Sequence, residues 1–382
     1  MSDQNIEPDH PEPIDLIRAA DEQIAKVRTQ SLDLSFNELL DMYTNDELVI
    51  SPEYQRLFRW SEAKESRFIE SMILELPLPP LFVIELEEGQ YELIDGLQRI
   101  SSYLHFRGKL KAEHRSISEG DFLTLTDCDI VEQLNGATYD GLPRAIEIKL
   151  KRAFVRVEVV RRESDNRLRY HMFKRLNTGG ELLSEQEIRN CTIRLLNNTF
   201  NVFLVECSQQ DAFKECISKV ANEQIDRKFD QELVLRFLSF KNWRSEYVHE
   251  VGTFLTEYME KVSDPGDDSL TFDYDVERQT FQKTFALLNN SLGDEAFSHI
   301  DRRGRKQPFS VYHFESFTLG IQPHLSALDP ENTTQMEKLK EICWDIKNDQ
   351  AFRDITTGGG KNSRGPLRER IDYVSKFLGD NL

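Results

Sequence analysis

The run Tyr91-Glu92-Leu93-Ile94-Asp95-Gly96-Leu97-Gln98-Arg99 brings an acid, a glycine, an amide and a base together over five positions. The apolar residues before Asp95 predict a strand. Ile100, Tyr103, Leu104 and Phe106 beyond it recur at helical spacing. A strand that delivers a carboxylate to a helix start suits phosphate chemistry. The free N–H groups of a helix N-terminus attract anions, and a guanidinium such as Arg99 clamps a phosphate bidentately. Asp95 can hold Mg2+ directly or through water. Gly96 allows a tight turn with close backbone approach, and Gln98 can orient a water or hydrogen-bond a base. The same residues also suit a plain helix start, with Asp95 as N-cap and Arg99 as its i+4 partner.

A second cluster is Pro52-Glu53-Tyr54-Gln55-Arg56-Leu57-Phe58-Arg59-Trp60. Aromatics interleaved with arginine can stack on a base and grip a phosphate. Tyr54, Phe58 and Trp60 can equally fill the core, and for Phe58 that is the better reading; Gln55 and Arg56 are the stronger ligand candidates. The third cluster is Phe173-Lys174-Arg175-Leu176-Asn177-Thr178-Gly179-Gly180. Asn177, Thr178 and Gly179 sit where backbone N–H groups can form a concave anion site, and also where a helix ordinarily stops. Glu187, Arg189 and Asn190 follow, with spacing that does not decide which way they face.

Three elements must position these groups. The strand through Ile94 pairs with Leu81-Phe82-Val83-Ile84-Glu85-Leu86 across a turn at Glu88-Gly89-Gln90. Ser61 caps a helix with Phe68, Ile69, Met72 and Ile73 on one face, stopped by Pro77, Pro79 and Pro80. A helix over about 165–176 leads to the third cluster. Upstream, Ile14, Ile17, Ile24 and Val27 predict a leading helix. Ser31 to Leu34 and Leu48 to Ile50 are short strands, and Ser35 with Glu38 marks another helix start. Residues 145–160 alternate as strands, whereas 110–143 form a polar insertion without a clear pattern. Ser184 and Glu187 make a capping box, and beyond 190 the pattern is almost wholly helical. The expected class is α+β, an N-terminal half with a small mixed sheet followed by an all-α C-terminal half. The expected division is an acidic tail and leading helix over 1–30, one domain over 31–200 and a helical domain over 201–382.

Composition narrows the classes. The chain has 382 residues and a formal charge of −19, which argues against a general nucleic-acid coat protein. Charge is uneven, however. Between Arg144 and Arg175 eleven Lys and Arg face four Asp and Glu, and Arg302-Arg303-Gly304-Arg305-Lys306 and Lys361 to Arg370 are further basic stretches. Arg161, Arg162, Arg302 and Arg303 are the DNA-contact candidates, although most charge runs are solvated faces. Five scattered cysteines without a CxxC pair suit small buried side chains in a reducing cytoplasm. No P-loop, HExxH or GxSxG occurs.

Tyr54-Gln55-Arg56 with Trp60, then Ile94 to Arg99, then Arg175 to Gly180 with Glu187-Ile188-Arg189-Asn190, resemble in order the N-terminal domain family of GmrSD-type, modification-dependent restriction proteins. The resemblance covers about residues 30–200. It implies a ParB- and sulfiredoxin-like fold, and nucleoside triphosphate binding and hydrolysis through an Asp-Gly-Gln-Gln-Arg motif that maps onto Asp95, Gly96, Gln98 and Arg99. The Tyr-Gln-Arg motif maps onto Tyr54, Gln55 and Arg56. Leu97 departs from the pattern where the family has its first Gln, so either hydrolysis is weakened or that side chain never meets ligand. A His-Asn-His nuclease domain, found in full restriction members, has no counterpart here.

The expectation is a cytoplasmic, Mg2+- and NTP-dependent component of a restriction-like anti-phage system. Catalysis would rest on Asp95, Gln98 and Arg99, with DNA and a separately encoded nuclease as candidate partners. The alternatives are a non-enzymatic DNA or nucleotide sensor and, last, a ParB-like DNA nickase. Two-metal cleavage needs several acidic ligands, and only one stands out.

Overall fold

The computed structural model describes residues 13–177, 184–300, 305–358 and 360–382. They form two compact units divided between Leu182 and Leu183. The first contains α1 (Pro13–Ile24), β1 (Thr29–Ser35), α2 (Phe36–Thr44), β2 (Leu48–Val49), α3 (Pro52–Gln55), α4 (Glu62–Ile73), β3 (Leu81–Glu85), β4 (Tyr91–Asp95), α5 (Leu97–Phe106), α6 (Arg144–Arg152), β5 (Phe154–Val160) and α7 (Asn166–Asn177).

Its sheet is mixed, in the order β1-β5-β3-β4-β2. β3 pairs antiparallel with β4 and parallel with β5, while β1 and β2 form the edges. Central β3 is apolar along most of its length, with Leu81, Val83 and Ile84 buried. β5 alternates instead, exposing Phe154 and Arg156 while Val155 and Val157 go inward. The β3–β4 register slips once: Phe82 faces Asp95 and Val83 faces Leu93. Ile94 is therefore one residue too many on β4, a bulge of the kind that bends a strand and re-aims the side chain after it.

Two expectations need correction. Residues 144–152 are helix, not strand. Ile146 and Leu150 also fit an i, i+4 spacing, Pro143 precedes the first turn, and Lys149, Lys151 and Arg152 suit the negative end of the helix. The insertion over 110–143 is packed rather than merely polar. Leu110, Ile117, Leu123, Leu125, Leu134 and Leu142 are buried. Its backbone is sewn to α4, where Glu70 Oε1 accepts from the Ile130 and Val131 N–H groups at 3.1 and 2.6 Å.

The second unit comprises α8 (Glu185–Ile193), α9 (Thr199–Ser208), α10 (Asp211–Cys216), α11 (Asn222–Asp226), α12 (Phe229–Asn242), α13 (Val251–Ser263), α14 (Tyr274–Leu292), β6 (His299–Ile300), β7 (Lys306–Gln307), α15 (Val311–Gly320), α16 (Thr333–Asn348), α17 (Gln350–Thr356) and α18 (Arg364–Asn381). The β6–β7 ribbon makes this unit mostly rather than wholly helical. Phenylalanines fill its core, with Phe281 and Phe285 rings 4.4 Å apart and Phe213 edge-on to Phe285 at 4.9 Å.

A chain of alternating charges crosses that core. Glu185 pairs with Arg189 at 2.7 Å, Arg189 with Glu232 at 3.5 Å, Glu232 with Arg236 at 3.1 Å and Arg236 with Glu315 at 2.8 Å. Glu315 then pairs with Arg370. Burial pulls the Arg189 guanidinium below its ordinary range. At Arg236 burial acts the same way, but the charges of Glu315 and Glu232 outweigh it. All five cysteines are buried and free, and burial pushes the thiols of Cys207, Cys216 and Cys343 up to about 12. Among the described residues no helix is long and apolar enough to cross a membrane.

Candidate functional site

The β4–α5 corner forms because Gly96 can do what no other residue can. Its φ of +105° is left-handed, and a Cβ there would come within 2.1 Å of Leu81 Cδ2. α5 therefore starts abruptly, without a side-chain cap. Asp95 does not turn back to cap it. Its Oδ2 lies 2.8 Å from Arg99 Nη2, with the Asp95 side chain 31% exposed and that of Arg99 13%. Arg99 also donates through Nη1 to the Pro80 carbonyl at 3.0 Å and to the Pro79 carbonyl. The guanidinium thus fixes the carboxylate and ties the helix start to the segment that enters β3.

Gln98 faces the other way. Its Oε1 accepts from the Arg59 and Trp60 N–H groups, both at 3.0 Å, and its Nε2 donates to the Leu57 carbonyl at 2.7 Å. The carboxamide oxygen expected to hold a water or a base carries two backbone donors instead. One side chain therefore fastens the arginine-bearing loop after α3 to the acid-bearing corner. This gives a physical reason for the first two motifs to occur in one chain.

Residues of the second motif divide by depth. Tyr54 is 3% exposed, its ring edge-on to Phe173 at 5.7 Å and its hydroxyl donating to the Ile94 carbonyl at 3.1 Å. It braces the bulged residue from below. Phe58 is fully buried. Gln55 Nε2 donates to the Lys111 carbonyl. Arg56 is exposed, with no side-chain hydrogen bond or ion pair among the described residues. Leu97, where the family pattern has Gln, is 3% exposed. Its side chain points into the core, as an apolar residue should.

Sequence reasoning missed the support behind this loop. Glu65 is fully buried and takes His105 Nδ1 and Arg115 Nη1 on its two oxygens, each at 2.8 Å. Arg115 lies over the Phe58 ring at 4.5 Å, and His114 Nε2 is 3.1 Å from the Phe58 carbonyl oxygen. Glu65 looked like first-turn charge on α4. Only its partners, 40 and 50 residues away, reveal it as the centre of a buried cluster. Beneath β4, burial lowers the Arg169 guanidinium while the charge of Glu92 opposes that shift.

Of the other sequence candidates, Asn177 is the last residue of α7, and Thr178, Gly179, Arg302 and Arg303 lie outside the described residues. Glu187 completes the capping box with Ser184. Arg189 belongs to the buried charge chain, and Asn190 donates to Gln231 at 2.6 Å. This last part of the third motif therefore serves the core of the second unit. Arg161 pairs with Glu85 at 3.0 Å and donates to Gln30 at 2.9 Å, while Arg162 remains 59% exposed beside Glu163. Among the described residues no three His, Cys, Asp or Glu side chains converge as a metal-binding group.

Comparison with known families agrees with this frame. Residues 36–194 match the model of the GmrSD restriction endonuclease, N-terminal domain. The match is a similarity that spans less than half of the chain. No curated protein and no solved structure matches the chain.

Proposed function

We propose that the protein is the nucleotide-dependent component of a restriction-like defence system, and that the β4–α5 corner receives the phosphates of a nucleoside triphosphate. The observation behind this reading is a solvent-accessible carboxylate, fixed by a guanidinium, beside an uncapped helix start. Helix N–H groups and the exposed Arg56 supply positive charge for the phosphates. Asp95 Oδ1 makes no hydrogen bond to the described residues. This suits a single carboxylate that meets a Mg2+ ion carried largely by phosphate oxygens. Arg99 and Gln98 are positioning residues in this scheme, holding the acid and the loop. Asn177, Thr178 and Gly179 are further candidates for the nucleotide, and Arg162, Arg302 and Arg303 are each candidates for DNA contact. Hydrolysis is attack of water on the terminal phosphorus with loss of the bridging oxygen. Charge neutralisation, not covalent chemistry, is what the protein contributes.

The test is NTP binding and turnover, with and without DNA, for wild type, Asp95→Asn, Arg99→Ala and Arg56→Ala. The reading expects at least a tenfold loss of turnover in Asp95→Asn and weaker binding in Arg56→Ala. Equal turnover in all four, or none in any, removes the hydrolase.

One observation favours a second reading. Gln98 and Arg99 are already committed to backbone carbonyls and amides, so the corner has a binder's rigidity without an evident water-holding group. In that case the protein is a nucleotide or DNA sensor for a separately encoded nuclease. Nucleotide binding without turnover, together with recovery of a nuclease, selects it.

A further inference from the structure

Two surfaces of the first unit have no cover among the described residues, and they lie at opposite ends of one edge strand. The first is α1. Every residue from Leu16 to Ile24 is exposed, including Leu16 at 54%, Ile17 at 62% and Ile24 at 67%. Leu16, Ala20 and Ile24 recur every four residues, so with Ile17 they form an apolar stripe. A helix of 12 residues is marginal in water by itself. Its base is nevertheless pinned: Ser164 Oγ bonds both the N–H and the carbonyl of Arg28, at 2.9 and 3.0 Å.

The second surface is a cavity of about 750 Å3 lined by Met72, Leu76, Pro77, Ile148 and Phe154, with Arg152 among its cations. Leu76 is 44% exposed and Phe154 69%. Lys149 and Arg156 at this cavity already pair with Glu75 and Asp33. Arg152 has no side-chain partner among the described residues, and neither does Asp21, which flanks the apolar stripe of α1. The two surfaces are therefore complementary in charge as well as both apolar.

β1 connects them. Thr29, just after α1, pairs with Val160, and Ser35 pairs with Phe154 at the cavity. Among the described residues the outer edge of β1 carries no neighbouring strand, and such an edge is a template for another chain. A two-fold axis across this edge runs a second β1 antiparallel to the first. The start of each β1 then lies beside the end of the other, and each α1 reaches the other copy's cavity. We propose that the protein forms a two-fold dimer across the β1 edge, with α1 of each copy seated in the Phe154 groove of the other. A self-complementary contact of this kind closes at two copies.

The experiment is sedimentation of the full chain over a concentration series, with circular dichroism confirming that each variant is folded. The α1 variant carries Leu16→Ser, Ile17→Ser and Ile24→Ser, and the groove variant carries Phe154→Ser and Arg152→Glu. Wild type should dimerise, and each variant should raise the dissociation constant at least tenfold. Mixed together, the two variants should form a heterodimer tighter than either homodimer, because one intact α1 then meets one intact groove. A wild type that stays monomeric overturns the proposal, including one whose α1 amides are protected by packing within its own chain. A dimer that survives both sets of substitutions, or variants that gain nothing on mixing, overturns it as well. The outcome does not depend on nucleotide binding.

Discussion

The two units use charged and amide side chains in opposite ways. In the first, the Asp95-Gly96-Gln98-Arg99 corner lies at the surface, and its side chains hold backbone: Gln98 grips residues 57–60 and Arg99 grips 79–80. In the second, Arg189, Glu315 and Arg370 are buried, Arg236 is largely so, and with Glu232 they hold one another. A buried alternating chain is cooperative, because removing one member strands its neighbours without counter-charge. A surface bracket loosens one loop and leaves the rest of the fold standing. The difference suggests which unit is built to respond to a ligand and which is built to stay fixed.

The largest effect expected from breaking this contrast is in the second unit. Glu315→Leu leaves Arg236 and Arg370 facing each other, and should cost about 3–5 kcal/mol in denaturant unfolding. A loss below about 1 kcal/mol would mean that the chain is solvated after all. Next comes the corner itself. Gly96→Ala forces a side chain into left-handed backbone and against Leu81. It should destabilise the first unit by roughly 2–3 kcal/mol, visible as a separate early transition.

Gln98→Ala removes three hydrogen bonds and should cost about 2 kcal/mol. Its signature is local: the Arg59 and Trp60 amides should exchange hydrogen much faster, while those of the second unit are unchanged. A uniform change throughout the chain would contradict the bracket.

pH provides a gentler probe of the fixed unit. Burial holds the Lys347 ammonium down at about 8, against an ordinary 10.5. Between those values the unfolded chain retains a proton that the folded one has lost, so this group makes stability rise with pH across that window. Urea titrations of wild type and Lys347→Met at pH 7.0, 8.5 and 10.0 (points chosen to bracket the shift) should show wild type gaining on the variant as pH rises. The smallest effect is expected at Arg56. Arg56→Ala should change stability by no more than about 0.5 kcal/mol while it weakens nucleotide binding, and a large loss of stability would show that the side chain is structural.

The corner was legible because its parts are local. An apolar strand, a glycine and an amphipathic helix adjoin in sequence, and each has its own signature. The i+4 pairing of Asp95 with Arg99 was readable for the same reason. The target of Gln98 was not, since backbone amides of residues 59 and 60 carry no mark in the sequence. Glu65, His105 and Arg115 were missed for a related reason, because a buried cluster assembled from distant positions resembles surface charge when read one residue at a time. Residues 144–152 illustrate a third limit: Ile146, Ile148 and Leu150 satisfy a period of two and nearly satisfy 3.6, and only packing chooses between them. The helical half was recognised as a class, but the register of its charge chain depends on how α8, α12, α15 and α18 meet.

Gln98 and Arg99 are adjacent on a single turn of α5, yet each is moored to a different stretch of main chain. That turn is accordingly a common axle. Whatever rotates it, a phosphate drawing on its amides or a metal tugging at Asp95, must shift the segment at Leu57 to Trp60 and the segment at Pro79 and Pro80 in the same stroke. Occupancy at one point would then be felt on both banks of the corner without any lid having to close.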